Sequence, residues 1–439
     1  MQKLSIITLG CSKNKVDTEH ILSQLEDSYE IIPEGEDIPV DVLLVNTCGF
    51  IGDAKEESVQ AVLEAVERKN AGEVGAVYVF GCLSQRYGHE LPQLIPEVDG
   101  WFGARDFAPL ITALGAVPSR DKEIRRHLTT PSHYAYLKIS EGCDRRCSYC
   151  AIPFIRGAHK SVPMEELVQE ASFMAENGVK ELIIIAQDTT YYGLDLYRRR
   201  ALAELLQKLS EIDGIEWIRI HYSYPAAFPE DVLDQMASNP KVCKYMDIPL
   251  QHISDKVLSN MHRNVDGAWT RELIRKMREK VPGVVLRTTM IVGHPGEGKR
   301  DFNELLDFVR EARFERLGAF RYSEEEGTYG AENFKDSITS RVKQERLDEL
   351  MTLQSEISLS FNQSRVGSEI KVIVDDFTDG IFVCRSEFES PEVDGEILVR
   401  HDSSVMGDID PYSLVGEFMT VRVTGADEYD LIAEPVEIL

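Results

Sequence analysis

Along residues 3–82 the chain alternates short apolar runs, at 4–9, 42–45 and 76–80, with longer stretches whose apolar residues recur at helical spacing. In the stretch 53–68 these are Val59, Val62, Leu63 and Val66, three and four residues apart, and a companion helix is expected over 14–26. Strands that alternate with helices predict a parallel sheet with helices packed on it. After a charged segment at 119–131, read as a linker, the alternation resumes on a larger scale. Strands are expected at 134–139, 181–186, 217–221, 245–248, 284–292 and 317–322, with helices at 164–177, 201–211, 229–238, 255–261, 270–279 and 300–313. Six β-α units in a row predict a partial (β/α) TIM-like barrel, with site residues on the rim formed by the carboxyl ends of the strands. A long amphipathic helix is expected at 338–362, with Leu347, Leu350, Met351, Leu353 and Ile357 along one side. From residue 367 the period shortens to two. Strands at 370–374, 381–384, 396–399 and 418–423, separated by Asp, Gly and Pro turns, predict a small antiparallel β-barrel. The expectation is an α/β multidomain chain divided into 1–118, a linker at 119–131, the barrel with its connecting helix at 132–366, and the terminal β-barrel at 367–439.

At 439 residues the chain exceeds the roughly 250–300 at which a single hydrophobic core stops growing, so several domains are expected. No apolar run approaches the roughly 20 residues of a membrane span, and the amino terminus lacks an apolar h-region. The expected setting is therefore cytoplasmic, with no membrane partner. The net charge of -27 is uneven: residues 368–439 hold 18 Asp and Glu against Lys371, Arg385, Arg400 and Arg422, a balance of -14. Such a surface repels phosphate backbones, so no specific nucleic acid is expected on it, and it complements a basic protein. A solvated acidic face that only aids solubility is the alternative.

Eight cysteines in a long chain point to metal or catalysis rather than to a disulfide framework. Cys143, Cys147 and Cys150 stand in C-x3-C-x2-C spacing directly after the first barrel strand. Structural zinc takes four ligands in paired C-x2-C modules, and no fourth cysteine stands nearby. A four-iron cluster ordinarily takes four cysteines, so three leave one iron open to a ligand that is not protein. Cys11, Cys48 and Cys82 are scattered in sequence, yet each lies just beyond the carboxyl end of an expected strand. Neighbouring strands run about 4.8 Å apart, so three cysteines at equivalent strand ends can converge on one cluster. Any one of them alone reads as well as a buried core thiol. Cys243 and Cys384 fall inside strands and read as structural.

The C-x3-C-x2-C loop with an aromatic residue, Tyr149, before its last cysteine resembles the cluster loop of radical S-adenosylmethionine enzymes. That resemblance implies that S-adenosylmethionine chelates the open iron and is cleaved by one electron to a deoxyadenosyl radical. The two triads together resemble the methylthiotransferase family, in which an amino-terminal cluster domain precedes the radical barrel and a TRAM-type β-barrel closes the chain. The likeness covers essentially all of the sequence. Residues 9–17 (Leu-Gly-Cys-Ser-Lys-Asn-Lys-Val-Asp), 150–157 and 426–431 resemble the branch that modifies protein twelve of the small ribosomal subunit. The tRNA-modifying branch usually carries Gln and Met where this chain has Ser12 and Lys13.

The resemblance implies methylthiolation at the β-carbon of an aspartate in that basic ribosomal protein, met through the acidic TRAM-type domain. Cys143, Cys147 and Cys150 would hold a radical-generating 4Fe-4S cluster, and Cys11, Cys48 and Cys82 an auxiliary 4Fe-4S cluster that carries the transferred sulfur. S-adenosylmethionine would be both radical source and methyl donor, and an electron donor such as flavodoxin or ferredoxin would supply the reducing equivalent. Residues 288–297 resemble the strand and turn of the S-adenosylmethionine pocket, which places Gly293, Gly296 and Glu297 beside the cofactor. Tyr149, Gln187 and Gln251, on the rim, are further candidates for contacts to it. Arg145, Arg146, Arg156 and Lys160 crowd the cluster loop, where a cationic surface would suit an anionic substrate or the cofactor's carboxylate. No separate catalytic side chain stands out. Three other readings stay open: a tRNA adenosine methylthiotransferase, a two-cluster iron-sulfur electron carrier, and a ribosome-binding scaffold.

Overall fold

The computed structural model describes every residue except 37 and 408, and the side chains of all the others except 123, 404 and 406. Five strands, β1 (Gln2–Thr8), β2 (Tyr29–Ile32), β3 (Val40–Thr47), β4 (Val74–Gly81) and β5 (Gly100–Trp101), form a parallel sheet in the order β2-β1-β3-β4-β5. The three apolar runs of the sequence are its central strands. Val42 and Leu44 face the helix Ser12–Leu25 through Ile21, Leu22 and Leu25, while Leu43 and Val45 face the helix Gly52–Asn70 through Val62, Ala65 and Val66. Burial on both faces is what makes such strands read as unbroken apolar runs. The edge strands β2 and β5, four and two residues long, are too short to show a period.

A second parallel sheet runs β6 (Tyr134–Lys138), β9 (Glu181–Ile185), β10 (Trp217–Ile220), β11 (Val242–Asp247), β12 (Val285–Val292) and β13 (Arg316–Arg321), preceded on its rim by a two-stranded ribbon, β7 (Ser140–Glu141) with β8 (Lys160–Ser161). It curves without closing, as the count of six units predicts. Alternate residues divide the two faces: Leu182 and Ile184 pack outward with Leu167, Met174 and Leu205 of the covering helices, while Ile183 and Ile185 turn into the lumen beside Tyr134 and Tyr136. Val16 of the helix Ser12–Leu25 joins that inner cluster, so the first sheet's helix lies against the open barrel.

The terminal domain is a closed barrel in the order β14 (Glu369–Thr378), β15 (Ile381–Arg385), β16 (Ile397–Arg400), β18 (Leu431–Ile438), β17 (Phe418–Ala426). Four of its neighbouring pairs are antiparallel and one, β16 with β18, is parallel. A closed ring of five strands cannot alternate direction all the way round, so one parallel pair is unavoidable. Pro435 interrupts β18 and hides it from the strand pattern.

This barrel caps the lower lumen of the second sheet. Ile373 and Phe418 pack on Trp217, Tyr245 and Val285, and buried Glu181 pairs with Arg219 at 2.7 Å and Arg385 at 2.8 Å. The loop between β15 and β16 enters the open barrel, where Ser390 meets His221 at 2.8 Å, Tyr245 donates to Asp394 at 2.6 Å and Lys15 pairs with Glu392 at 2.6 Å. The charged segment at 119–131 is laced along the helix Ser12–Leu25. It carries a short helix, Arg120–Ile124, Gln24 exchanges two hydrogen bonds with Ser119, and Arg126 is buried between Glu19 and Glu170.

Candidate functional site

Parallel pairing of β1 with β3 and β3 with β4 brings Cys11, Cys48 and Cys82 to one edge of the first sheet, immediately past the three strand ends. Gly10, at φ 92°, lets the β1 loop press on its neighbour: a Cβ there would stand 2.8 Å from Cys48 Cβ and 3.0 Å from its Sγ. Asn14 stitches the two loops, its amide donating to Leu9 O at 2.8 Å and Thr47 O at 3.2 Å. Cys48 and Cys82 are buried and Cys11 is exposed. Burial pushes the Cys48 thiol up and the Cys82 thiol to about 11, and both feel the charge of Cys11.

Arg156 is buried against this triad. Its Nε donates to Cys82 Sγ at 3.2 Å, while its other nitrogens donate to Asn14 Oδ1 at 2.6 Å, Asp17 at 2.6 Å and Glu141 at 3.2 Å. The expectation that Arg156 belongs to a cationic surface is therefore corrected: three oxygen acceptors and Cys82 consume its donors, and it is 4% exposed. Arg145 is likewise engaged, paired with Asp188 at 2.7 Å and stacked on Tyr224, whereas Arg146 and Lys160 are exposed.

The second triad follows β7. Its loop is pinned by the peptide N–H of Cys143 to Gly157 O at 3.0 Å, of Ser148 to Met261 O at 3.0 Å, and of Gly330 to Ser148 O at 2.6 Å. Burial pushes the Cys143 thiol up to about 11 and the Cys150 thiol further. Arg263 lies 3.5 Å from Cys147 Sγ and 3.4 Å from the Tyr149 hydroxyl, and the Tyr224 hydroxyl lies 4.0 Å from the same sulfur. Arg263 and Tyr224 follow other strands, more than 70 residues downstream of Cys147, and no spacing rule points to them. The two triads adjoin: Cys82 packs with Ala104, Ala151 and Ile155, and Ala151 follows Cys150 in the chain.

This donor set fits iron-sulfur clusters. A thiol pushed up by burial is protonated when alone, and metal binding replaces that proton with iron. The guanidinium at Cys82 and the one at Cys147 suit sulfurs that carry charge. Among the described residues no three His, Cys, Asp or Glu stand close enough for a single metal ion.

The other expected contacts gather on the same rim. Gly293 and Gly296, at φ 77° and 90°, form the turn after β12, and His294 Nε2 reaches Ser148 Oγ at 3.5 Å. Glu297 is turned to the backbone, accepting the Gly293 N–H at 2.7 Å and pairing with Arg346 at 2.8 Å, and burial pushes its carboxyl up to about 7. Gln187 donates to Glu141 at 2.6 Å, while its amide oxygen and that of Gln251, which stands at φ 74°, are buried without a partner among the described residues. Two orphaned acceptors on the rim suit a ligand with amino or hydroxyl donors.

Comparison with known proteins agrees with this geometry. Residues 137–309 match the Radical SAM superfamily, 3–103 the Uncharacterized protein family UPF0004, and 366–436 the TRAM domain. The chain is 52% identical over 436 residues to the ribosomal protein uS12 methylthiotransferase RimO of Porphyromonas gingivalis, covering 99% of both chains. It is 50% identical over 432 residues to the protein of that name from Bacteroides fragilis, covering 98% of both. Among solved structures, the radical S-adenosylmethionine methyltransferase TsrM of Kitasatospora setae, with cobalamin and a [4Fe-4S] cluster bound, shares the fold at a TM-score of 0.53. It is 13% identical over 87% of this chain and 81% of that one. With triads, rim and terminal barrel in place, this chain belongs to the RimO family of radical S-adenosylmethionine methylthiotransferases.

Proposed function

We propose that this enzyme methylthiolates the β-carbon of an aspartate in ribosomal protein uS12. One observation carries the reading: two cysteine triads, each with a buried arginine donating to a sulfur, adjoin where Cys82 meets the residue after Cys150. Cys143, Cys147 and Cys150 would hold the cluster that cleaves S-adenosylmethionine reductively, and Cys11, Cys48 and Cys82 the auxiliary cluster that bears the sulfur. A β C–H bond of aspartate offers no easy proton abstraction, which is the chemical reason for a radical. The barrel excludes water from it: the β15–β16 loop and Trp217, Tyr245 and Phe418 close the lumen below, and the first sheet covers one side. Tyr149, Gln187, Gln251 and the Gly293–Gly296 turn would seat S-adenosylmethionine. Residues 1–118, 132–366 and 367–439 would be the cluster, radical and TRAM-type domains, joined by 119–131. The acidic terminal domain would receive the basic ribosomal protein, and a flavodoxin or ferredoxin would supply the electron.

Anaerobic reconstitution tests the cofactor assignment. Wild type should hold about eight irons, and the triple variant of Cys11, Cys48 and Cys82 to Ala about four, each cuboidal cluster containing four. Equal iron in both would end the auxiliary-site reading. Mass spectrometry of uS12 from cells lacking the gene tests the substrate: the methylthio mass should vanish. Unchanged uS12 together with a tRNA adenosine that loses its methylthio group would favour the tRNA-modifying alternative.

A further inference from the structure

Lys13 stands in the first turn of the helix Ser12–Leu25, two residues past Cys11, and is only 8% exposed. Its ammonium reaches the barrel mouth and lies 3.2 Å from the centroid of the Tyr222 ring. Tyr222 sits just beyond β10 at φ 58°, a left-handed backbone that a bulky residue keeps only when held. Here its N–H donates to Asp247 at 2.9 Å. The neighbouring cations all have carboxylates: Lys15 has Glu392, Lys138 has Asp17 and Glu141, Arg156 has Asp17, and Arg287 has Asp247. Among the described residues Lys13 has the tyrosine face and no carboxylate within ion-pair distance.

A cation over an aromatic ring is held by the negative face of the ring, which leaves its charge in place. A buried ammonium without a counter-ion is costly, and an anion completes it. The location says which anion. Lys13 starts two residues from Cys11, and Tyr222 stands two residues from Tyr224, whose hydroxyl is 4.0 Å from Cys147 Sγ. The ammonium therefore stands on the rim that carries both triads, the rim at which a carbon must sit to lose a hydrogen and gain sulfur. We propose that Lys13 binds the side-chain carboxylate of the target residue and selects an acid over an amide or a nucleobase. The inference rests on the aspartate reading above and deepens it. A carboxylate held on Lys13 leaves its β-carbon one bond away, and so fixes which C–H faces the radical.

The test uses the reconstituted holoenzyme with uS12 and with uS12 whose target aspartate is replaced by asparagine. Wild type should bind the aspartate form at least tenfold more tightly. Lys13→Met, with iron content equal to wild type, should bind both forms alike and yield at least tenfold less methylthio product, while Lys13→Arg should keep the preference. Equal binding of the two forms by wild type would overturn the proposal even if Lys13→Met failed to fold, as would a tenfold preference retained by Lys13→Met. If wild type modified neither form while still cleaving S-adenosylmethionine, the uS12 reading itself would fall, and this inference with it.

Discussion

Replacing Arg156 by Met removes the guanidinium that joins the first sheet to the barrel while keeping most of its volume. Four strong hydrogen bonds are lost, to Cys82, Asn14, Asp17 and Glu141. Breaking a buried charge pair costs about 3–5 kcal/mol, because the abandoned partner stays buried. Here the partners are not wholly abandoned: Lys138 still contacts Asp17 and stands 2.8 Å from Glu141, which also keeps Gln187 at 2.6 Å. The low end, about 3 kcal/mol, is the expected loss. At about 2–4 °C per kcal/mol for a domain of this size, the melting temperature should fall by about 6–12 °C. Calorimetry of the wild type and the variant, reconstituted side by side, measures this, and iron analysis shows whether the auxiliary cluster is retained. A melting temperature within about 1 °C of wild type would refute the reasoning, since it would mean that the four acceptors are satisfied without Arg156. Arg156→Lys separates charge from geometry: one ammonium can meet Asp17 but not also Cys82 and Asn14, so it should recover less than half of the loss.

Gly293→Ala places a side chain at φ 77°, against the aliphatic part of Lys343. The left-handed backbone alone costs about 1–2 kcal/mol, so equilibrium dialysis should show S-adenosylmethionine binding weakened roughly tenfold with iron content intact, and unchanged affinity would remove that turn from the pocket. Buried Glu325 joins the barrel's last loop to Lys55 at 2.8 Å and Arg86 at 2.9 Å. Glu325→Gln should lower the urea midpoint by the worth of about one charged hydrogen bond, about 1.5–3 kcal/mol, and speed proteolysis at 119–131. A variant with the wild-type midpoint would show that the clamp is idle. Burial holds His221 neutral, its ring pushed down to about 3 from an ordinary 6.5. The native state therefore resists a proton that the unfolded chain accepts, and the stability present above pH 6.5 is lost toward pH 3 at about 1.4 kcal/mol per pH unit. His221→Asn should make the stability curve shallower by about that slope between pH 6 and 4, and an identical slope would contradict the assignment.

How much of this could be read from the sequence depends on the range of each interaction. The central strands and covering helices have periods long enough to see, and the C-x3-C-x2-C loop is local. Cys11, Cys48 and Cys82 became legible as a set only through topology, since equivalent strand ends in a parallel sheet share an edge. Arg263 and Tyr224 were not legible, because their partners stand on other strands and nothing local marks them; Lys13 stood out only as a motif residue, and its partner Tyr222 shows only in the fold. Arg156 shows the opposite error: in a basic stretch it reads as a surface cation, and only the packing of the helix Ser12–Leu25 against the barrel buries it. The same packing turns the charged segment at 119–131 into a tie through Arg126, with Glu19 and Glu170 on either side.

The charge of the terminal barrel divides in a similar way, and the division bears on what it can attract. Part of the -14 balance faces inward. Asp375 pairs with His133 and Arg385, Glu389 with Arg316 and Arg365, Asp394 with Arg287, and Glu392 with Lys15 while accepting from Tyr134 and Tyr136. These acids fasten the domain to the barrel and give nothing to long-range attraction. Asp376, Asp379, Glu396, Asp427, Glu428, Glu434 and Glu437 are exposed, and Asp430 gathers at Glu396, whose N–H it accepts at 2.8 Å. Partial burial pushes the Glu396 carboxyl up, and the charges of Asp430, Asp375 and Asp376 add to it. If the terminal domain receives a basic protein as proposed above, that exposed set would draw it, within a screening length of roughly 8 Å at physiological salt. The number of acids in the sequence therefore overstates the field, and their placement directs it to the outer turn beside β16 and β18, away from the seam with the barrel.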